Sequence, residues 1–329
     1  MKICGSPCYL FMKIVLTDAQ TVTNGDLDLS VFEKYGEVVR YALTDHEEAK
    51  ERLRDADAVL LNKTVMDAEV LSCAPKLKYI GIFATGYNMI DLEYCRAHGI
   101  TVCNAGSYST DAVAQTVFAF LLNHYSRVSD YTAFVNDGGW MSSPSFSPFV
   151  FPTMELAGKT LGIIGYGSIG HKVAEIARAF SMRVLVLPHH KKDVETDGLV
   201  TFTDLDTLLA QSDAVTCHCP LNAESKGMFD AAAFSKMKDG AYFINTSRGG
   251  VVIETALRDA LESGHLSGAG IDVLTTEPMA RDCVLYRAKN LTVTPHVAWA
   301  PYETRVRLMT IVEDNLKNYL DGHPTHVIV

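Results

Sequence analysis

No stretch of this 329-residue chain approaches the roughly 18 consecutive apolar residues that a membrane span needs. Its apolar runs are broken by glycines and charges, so a membrane partner is excluded and a soluble, cytoplasmic protein is expected. Blocks of one charge are also missing: 29 Lys and Arg against 39 Asp and Glu leave a formal charge of -10 spread along the chain. That balance excludes nucleic acid or an anionic surface as the main partner on electrostatic grounds, and a small anionic substrate would need a local cationic pocket. The eight cysteines (Cys4, Cys8, Cys73, Cys95, Cys103, Cys217, Cys219 and Cys283) lack both the paired spacing of zinc sites and the density of a secreted disulfide framework. Reduced thiols and no metal are expected; Cys217 and Cys219 alternate in an apolar strand, where cysteine serves as a small core hydrophobe. The opening, residues 1–11, has one charge, Lys2, and lacks the apolar core and cleavage site of a signal peptide. It reads as an extension before Met12, where the strand-like MKIVLTD begins.

From Lys13 onward, β-rich runs (KIVLT, EVV, DAVLL, KYIGI, ITVCN) alternate with helical segments such as Glu47 to Arg54 and Asp91 to His98. Such alternation predicts a parallel sheet with crossover helices. Gly99 follows the second of these helices as a C-terminal stop. After Asp111, the positions Ala112, Val113, Val117, Phe118, Phe120, Leu121 and Leu122 read as one long buried helix crossing between domains. Gly138 to Pro152 is rich in Gly, Ser, Pro and aromatics and reads as an irregular arm. Trp140, Phe146, Phe149 and Phe151 would be costly in an exposed coil, which points to a subunit contact.

A second alternating series starts at Lys159 and runs through TLGIIG, RVLVL, DAVTCHC, AYFIN, GAGIDV and LTVTP, the pattern of a doubly wound sheet. The last helix, Thr304 to Leu320, has apolar Leu308, Ile311, Val312, Leu316 and Tyr319 and returns the chain to the first domain. The expected division is 12–111 with 299–329 as one discontinuous domain, and 112–298 as a dinucleotide-binding domain.

Gly165-Tyr-Gly167-Ser168-Ile169-Gly170 follows a strand and opens a helix, the setting in which the glycine fingerprint signifies a dinucleotide site. The first glycine permits the turn, the second a close pyrophosphate, and the third helix–strand packing; the helix N-terminus supplies amide donors. At the end of the next strand, where an acidic residue would bond a ribose 2'-hydroxyl, the chain has Pro188 followed by His189, His190, Lys191 and Lys192. Cationic donors there suit a 2'-phosphate, so of NAD(P)H cofactors the reading favours NADP over NAD.

Three further polar residues sit where open α/β sheets place ligands: Arg248 after AYFINTS, Glu277 after GIDVLTT, and His296 after LTVTP. Singly, each has a bland explanation as a surface charge or a bonded core group. Together with the segments ATGYNMID (84–91), YSTDAVAQTVFA (108–119), ELAGKTLGIIGYGSIG (155–170), CPL (219–221), NTSRGG (245–250), GIDVLTTEP (270–278) and TPHVAW (294–299), they carry a resemblance. The chain resembles the D-isomer-specific 2-hydroxyacid dehydrogenases from Met12 to Val329. Its TGYN loop and the tryptophan after the histidine look most like the glycerate dehydrogenases, or hydroxypyruvate reductases.

The resemblance implies two doubly wound domains, Rossmann and flavodoxin-like, with an active site in a cleft between them and a homodimer. It implies that His296 is the general acid, Glu277 its partner, and Arg248 the group that holds the substrate carboxylate and polarises the carbonyl. Backbone amides of Thr85, Gly86 and Tyr87 would bind the carboxylate. Cofactor contacts would come from Gly165, Gly167, Ser168, Ile169, Gly170, His189, His190, Lys191, Cys219, Pro220, Thr246, Arg248, Asp272 and His296, although Asp272 equally suits a strand-end cap. The chemistry agrees, because hydride addition to a ketone builds negative charge on oxygen, which an imidazolium and a guanidinium both favour. The implied reaction is interconversion of a small 2-keto acid and a D-2-hydroxy acid, foremost hydroxypyruvate and D-glycerate, also glyoxylate. The alternatives are lactate, phosphoglycerate or a branched or aromatic acid, or a dinucleotide-sensing interaction protein on the same fold. FATGYNMID offers no Lys or Arg for a substrate phosphate, which disfavours phosphoglycerate.

Overall fold

In a computed structural model the described residues are 12–187 and 200–329. The extension 1–11, and Pro188 with the basic run 189–192, lie outside them. The chain gathers into two compact units, one from the described residues up to Ser109 together with Ala300–Val329, the other Thr110–Trp299.

The first unit holds five parallel strands, β1 (Lys13–Leu16), β2 (Glu37–Arg40), β3 (Ala58–Leu61), β4 (Tyr79–Ile82) and β5 (Thr101–Cys103), in the order β2-β1-β3-β4-β5. This is the flavodoxin-like order. The central β3 and β4 are buried at every position, which is why they read as continuous apolar runs rather than as alternating ones. Crossover helices start where an aspartate accepts an amide of the first turn: Asp45 from Glu48, Asp67 from Val70 and Asp91 from Tyr94. The helix Leu92–His98 ends on Gly99 at φ +65°. The final helix, Tyr302–Leu320, lies on this sheet, with Tyr319 4.7 Å from the Tyr79 ring. Beyond it the chain runs antiparallel to β5, the Val102 amide donating to Val329 O at 2.8 Å and the Ile328 amide to Val102 O at 2.8 Å.

The second unit holds seven parallel strands: β6 (Thr160–Ile164), β7 (Arg183–Leu187), β8 (Thr201–Phe202), β9 (Ala214–Cys217), β10 (Ala241–Asn245), β11 (Leu266–Ile271) and β12 (Leu291–Val293). Their order is β12-β11-β10-β9-β6-β7-β8. Read from β8, this is the doubly wound Rossmann order extended by one strand, with its switch point between β6 and β9. Both sheets are thus the doubly wound parallel kind that the alternation predicts. Leu161, Ile163, Ile164, Val215, Phe243 and Ile244 are buried in it, each contributing about 1.5–3 kcal/mol of transfer free energy. Cys217 and Cys219 are buried free thiols among these apolar groups. Burial pushes both thiols up, away from the thiolate form that metal ligation requires.

The long helix expected over 112–122 is present as Thr110–Ser126, and it lies within the second unit. Arg127 takes the left-handed conformation at φ +54°, and a second helix, Val128–Asn136, follows with no buried residue. With no apolar stripe to bury, that helix left no periodic signal. The arm after it is irregular, as expected, and within the chain leaves Met141, Phe146 and Phe149 at 87%, 90% and 93% exposure. Phe151 instead packs edge-on against Tyr131.

His124, near the end of the helix Thr110–Ser126, stacks 4.1 Å from Tyr242, and its Nε2 lies 2.9 Å from Ser267 Oγ. Burial, with a smaller contribution from the Arg127 charge, pushes its pKa down to about 4. The unfolded chain protonates this group near pH 6.5. Its contribution to stability is therefore complete above about pH 6.5 and is lost as the pH falls towards 4, by about 2–3 kcal/mol after allowance for partial exposure. Urea unfolding of the wild type and His124→Phe at pH 7.5 and 4.5 checks this. The variant is expected to lose less stability between the two pH values; an identical loss in both proteins removes His124 as the cause.

Candidate active site

The glycine loop leaves β6 at Gly165, whose φ of +92° suits only a residue without a side chain. A Cβ there would lie 2.8 Å from the backbone of His218 and Cys219, so the turn is pressed against the exit of β9. At Gly170 a Cβ would meet Gly165 O at 2.2 Å, which is the close helix–strand contact. At Gly167, by contrast, nothing lies within 4 Å. The helix Ser168–Ala179 opens at this uncovered glycine, with Ser168 exposed and Ile169 half-buried beside it. One glycine makes the turn, one makes the packing and one leaves open space at a helix N-terminus, which is how a pyrophosphate is cradled. Thr246, after β10, adds a buried Oγ1 with no hydrogen-bond partner among the described residues, a group that a bound ligand can satisfy. These residues fit a dinucleotide.

The sequence-predicted residues of this unit fall at the carboxyl ends of five adjacent strands. Gly165 follows β6, Cys219 and Pro220 follow β9, Thr246 and Arg248 follow β10, Asp272 and Glu277 follow β11, and His296 follows β12. Neighbouring strands are about 4.8 Å apart, so the row spans roughly 19 Å.

Arg248 sits in a loop braced by the buried Asn245. The Asn245 Oδ1 accepts the Ser247 amide at 3.0 Å, and its Nδ2 donates to Arg248 O at 2.9 Å. The guanidinium folds back to Ser247 O at 2.8 Å. The next residue, Gly249, packs so tightly on the loop after β11 that a Cβ would lie 1.9–2.2 Å from Leu274 and Thr275 backbone atoms. Glu254 Oε1 ties the same loop by accepting the Thr275 amide at 2.8 Å. The Arg248 and Glu277 loops are therefore interlocked.

Glu277 Oε1 accepts the Leu274 amide at 2.9 Å, and its Oε2 lies 2.6 Å from His296 Nδ1. With Nδ1 turned to the carboxylate, Nε2 is the ring nitrogen left to meet a substrate. His296 has a left-handed backbone, φ +56°. Its amide donates to Asp272 O at 2.8 Å, while the buried Asp272 carboxylate accepts the Thr294 hydroxyl at 2.6 Å and the Val297 and Ala298 amides at 2.9 Å each. Asp272 thus acts as the strand-end cap that its position allowed, and it clamps the chain on both sides of His296. Asn245 as a brace and Glu254 as an anchor were not singled out by sequence reasoning, and for Asp272 that reasoning gave the cap but not the segment it holds. The available signal was a polar residue at the end of an apolar strand, in AYFIN and GAGID.

Thr85, Gly86 and Tyr87 belong to the first unit, in the turn after β4. Thr85 O accepts Asn104 Nδ2 at 2.7 Å, and the Thr85 hydroxyl donates to Gly106 O. His189, His190 and Lys191 lie outside the described residues. Among the described residues, no group of three or more His, Cys, Asp or Glu is placed to hold a metal, and no helix is long and apolar enough to cross a membrane.

A doubly wound sheet with this glycine cradle, and an imidazole–carboxylate pair on the same edge, defines a nicotinamide-dinucleotide oxidoreductase. Residues 118–298 match the family model of the D-isomer specific 2-hydroxyacid dehydrogenase NAD binding domain. The chain is 42% identical over 320 residues to a hydroxypyruvate reductase of Blautia hydrogenotrophica, covering 96% of this chain and 99% of that one. It is 40% identical over 284 residues to a glycerate dehydrogenase of Methylorubrum extorquens, covering 86% and 88%. An acyclic imino acid reductase solved with NADPH and D-Arg superimposes with a TM-score of 0.84 at 32% identity, over 97% of this chain and all of the other. The protein belongs to the D-isomer specific 2-hydroxyacid dehydrogenases.

Because Gly167 has open space and an ordinary φ of -83°, Gly167→Ala is expected to keep the melting temperature while weakening dinucleotide binding by about tenfold or more, the added methyl competing with the phosphates. Fluorescence titration with NADH and NADPH measures this. Unchanged affinity would place the pyrophosphate elsewhere.

Proposed function

We propose that this enzyme interconverts hydroxypyruvate and D-glycerate, and also reduces glyoxylate, with Arg248, Glu277 and His296 as its working residues. The observation that carries the proposal is the 2.6 Å contact of His296 Nδ1 with Glu277, on a loop interlocked with that of Arg248. The relatives named hydroxypyruvate reductase and glycerate dehydrogenase support the choice of acid.

In this reading the unit Thr110–Trp299 holds the dinucleotide through Gly165, Gly167, Ser168, Ile169 and Gly170, with Cys219, Pro220 and Thr246 farther along the same edge. The bound nicotinamide supplies hydride to the keto carbon. Arg248 holds the substrate carboxylate and polarises the carbonyl, so that charge building on oxygen meets a fixed cation. In the first unit, the amides of Thr85, Gly86 and Tyr87 are the groups read as carboxylate ligands, and on that reading it is the substrate domain. His296 donates its Nε2 proton to the developing alkoxide, while Glu277 holds the ring through Nδ1 and balances its charge. In the oxidative direction His296 takes that proton back. Asp272 serves by orienting His296 and is the least direct of the cofactor contacts, since three donors of its own chain already occupy its carboxylate.

For the cofactor, NADPH is favoured over NADH, because the chain has Pro188 where an acidic residue would read the ribose and basic residues directly after it. A homodimer accounts for the exposed Met141, Phe146 and Phe149, since an apolar surface of this kind is stabilised by burial against a second copy. The cytoplasm is the expected compartment for a reduced-thiol enzyme of this kind.

Initial rates with hydroxypyruvate, glyoxylate, pyruvate and 2-ketoisocaproate, each with NADPH and NADH, test the assignment. Hydroxypyruvate is expected to give the highest kcat/KM and NADPH the higher rate. His296→Ala is expected to lower turnover by about two orders of magnitude or more. A preference for pyruvate or 2-ketoisocaproate would move the substrate, and near-wild-type turnover in His296→Ala would remove the proposed acid. Sedimentation of wild type and Phe146→Ser/Phe149→Ser checks the dimer; a monomeric wild type contradicts it.

A further inference from the structure

The turn Thr85–Tyr87 is held by residues far from it in sequence. Asn104, just after β5, donates Nδ2 to Thr85 O at 2.7 Å and accepts the Gly106 amide on Oδ1 at 3.1 Å. The Ala105 amide donates to Ala84 O at 3.0 Å. The backbone of Asn104 is itself tied on both sides. Its amide donates to His326 O at 3.1 Å, and its carbonyl accepts Asn315 Nδ2 at 2.8 Å. Asn315, on the final helix and 1% exposed, completes its bonding by accepting the Thr325 hydroxyl at 2.9 Å on Oδ1, with His326 Nδ1 also 2.9 Å from that oxygen. Every polar atom of the Asn315 side chain is thus used, and the bonds form one path from the segment 325–326 through Asn315 and Asn104 to the carbonyl of Thr85.

Stability alone does not call for this arrangement. Burying an amide between a helix and a sheet carries a desolvation cost that its hydrogen bonds offset only in part, a cost that an apolar side chain at this position would not itself carry. His326 also takes a left-handed backbone, φ +51°, a conformation that disfavours a side chain. Two locally unfavourable features meet where they fix the Asn104 backbone, and the Asn104 side chain in turn fixes the turn. We propose that Asn315, with Thr325 and His326, is a positioning cluster that sets the Thr85–Tyr87 turn for the substrate carboxylate and so determines affinity for the 2-keto acid. This rests on the carboxylate-binding reading of that turn given above.

The test is steady-state kinetics of Asn315→Leu with hydroxypyruvate and NADPH. The expected result is a keto-acid KM raised about tenfold, kcat within threefold of wild type, and unchanged NADPH affinity. A folded Asn315→Leu with unchanged keto-acid KM overturns the proposal, as does an equal loss in kcat and NADPH affinity, which would mark a general structural role. Should Asn315→Leu fail to fold, Asn104→Asp keeps the acceptor for Gly106, removes the donor to Thr85 and carries the same expectation. Hydrogen exchange at the Ala105 and Gly106 amides gives a readout that needs no turnover. Faster exchange in the variant supports the cluster, and unchanged exchange overturns it. If the wild type reduces no 2-keto acid, the functional reading fails, while the exchange result still decides whether the cluster holds the turn.

Discussion

The proposed active-site edge depends on the clamp that Asp272 places around His296. A histidine in the left-handed region is unfavourable by itself, and it persists here because its amide, the preceding Thr294 hydroxyl and the two following amides all bond to Asp272. The three that reach the carboxylate rather than the backbone carbonyl are charge-assisted, and such bonds are roughly twice as strong as neutral ones. The clamp sets the direction of the ring, and the ring's direction lets Glu277 reach Nδ1 and leaves Nε2 for the proposed proton transfer. Glu277 in turn stands on a loop held by the Gly249 contact and by Glu254. Removing the Asp272 carboxylate would release the whole sequence of contacts.

The same device recurs in both units. Asp18 follows β1 and accepts the amides of Asn62, Lys63 and Thr64, bracing the loop after β3. Asn104 follows β5 and braces the turn after β4. Asn245 ends β10 and braces the Arg248 loop, and Asp272 follows β11 and braces the loop after β12. Each is a buried polar side chain at a strand's carboxyl end, satisfied by backbone groups of a loop that would otherwise be loose. Parallel sheets leave their loops at that end, where open α/β folds bind ligands. Buried Asp and Asn side chains make those loops rigid enough to place reacting groups.

Much of this architecture was legible in the chain. Alternating apolar runs specified two doubly wound sheets, because strands buried on both faces leave unbroken hydrophobic segments. The Gly165–Gly170 spacing pointed to the dinucleotide cradle, since the turn at Gly165 and the close contact at Gly170 exclude a side chain while Gly167 leaves room for phosphates. Arg248, Glu277 and His296 were visible as polar residues after apolar strands. Other features were not legible for physical reasons. The helix Val128–Asn136 buries nothing and so has no period to detect. The roles of Asp272, Asn245 and Asn315 depend on which distant amides face them, and register and packing decide that rather than local composition. Nothing in the chain marked His124, because its stacking on Tyr242 joins residues over a hundred apart. The basic run 189–192 lies outside the described residues, so its part in cofactor choice rests on residue type alone.

The central claim is that the clamped His296, paired with Glu277, delivers the proton while Arg248 holds the acid. A crystal structure of the protein with NADPH and a non-reacting 2-keto acid analogue tests it most directly. The account predicts His296 Nε2 within about 2.6–3.2 Å of the analogue's carbonyl oxygen, the Arg248 guanidinium on its carboxylate, and the Glu277 contact and Asp272 clamp unchanged. A carbonyl oxygen facing another donor, with His296 turned away or its clamp broken, would contradict it.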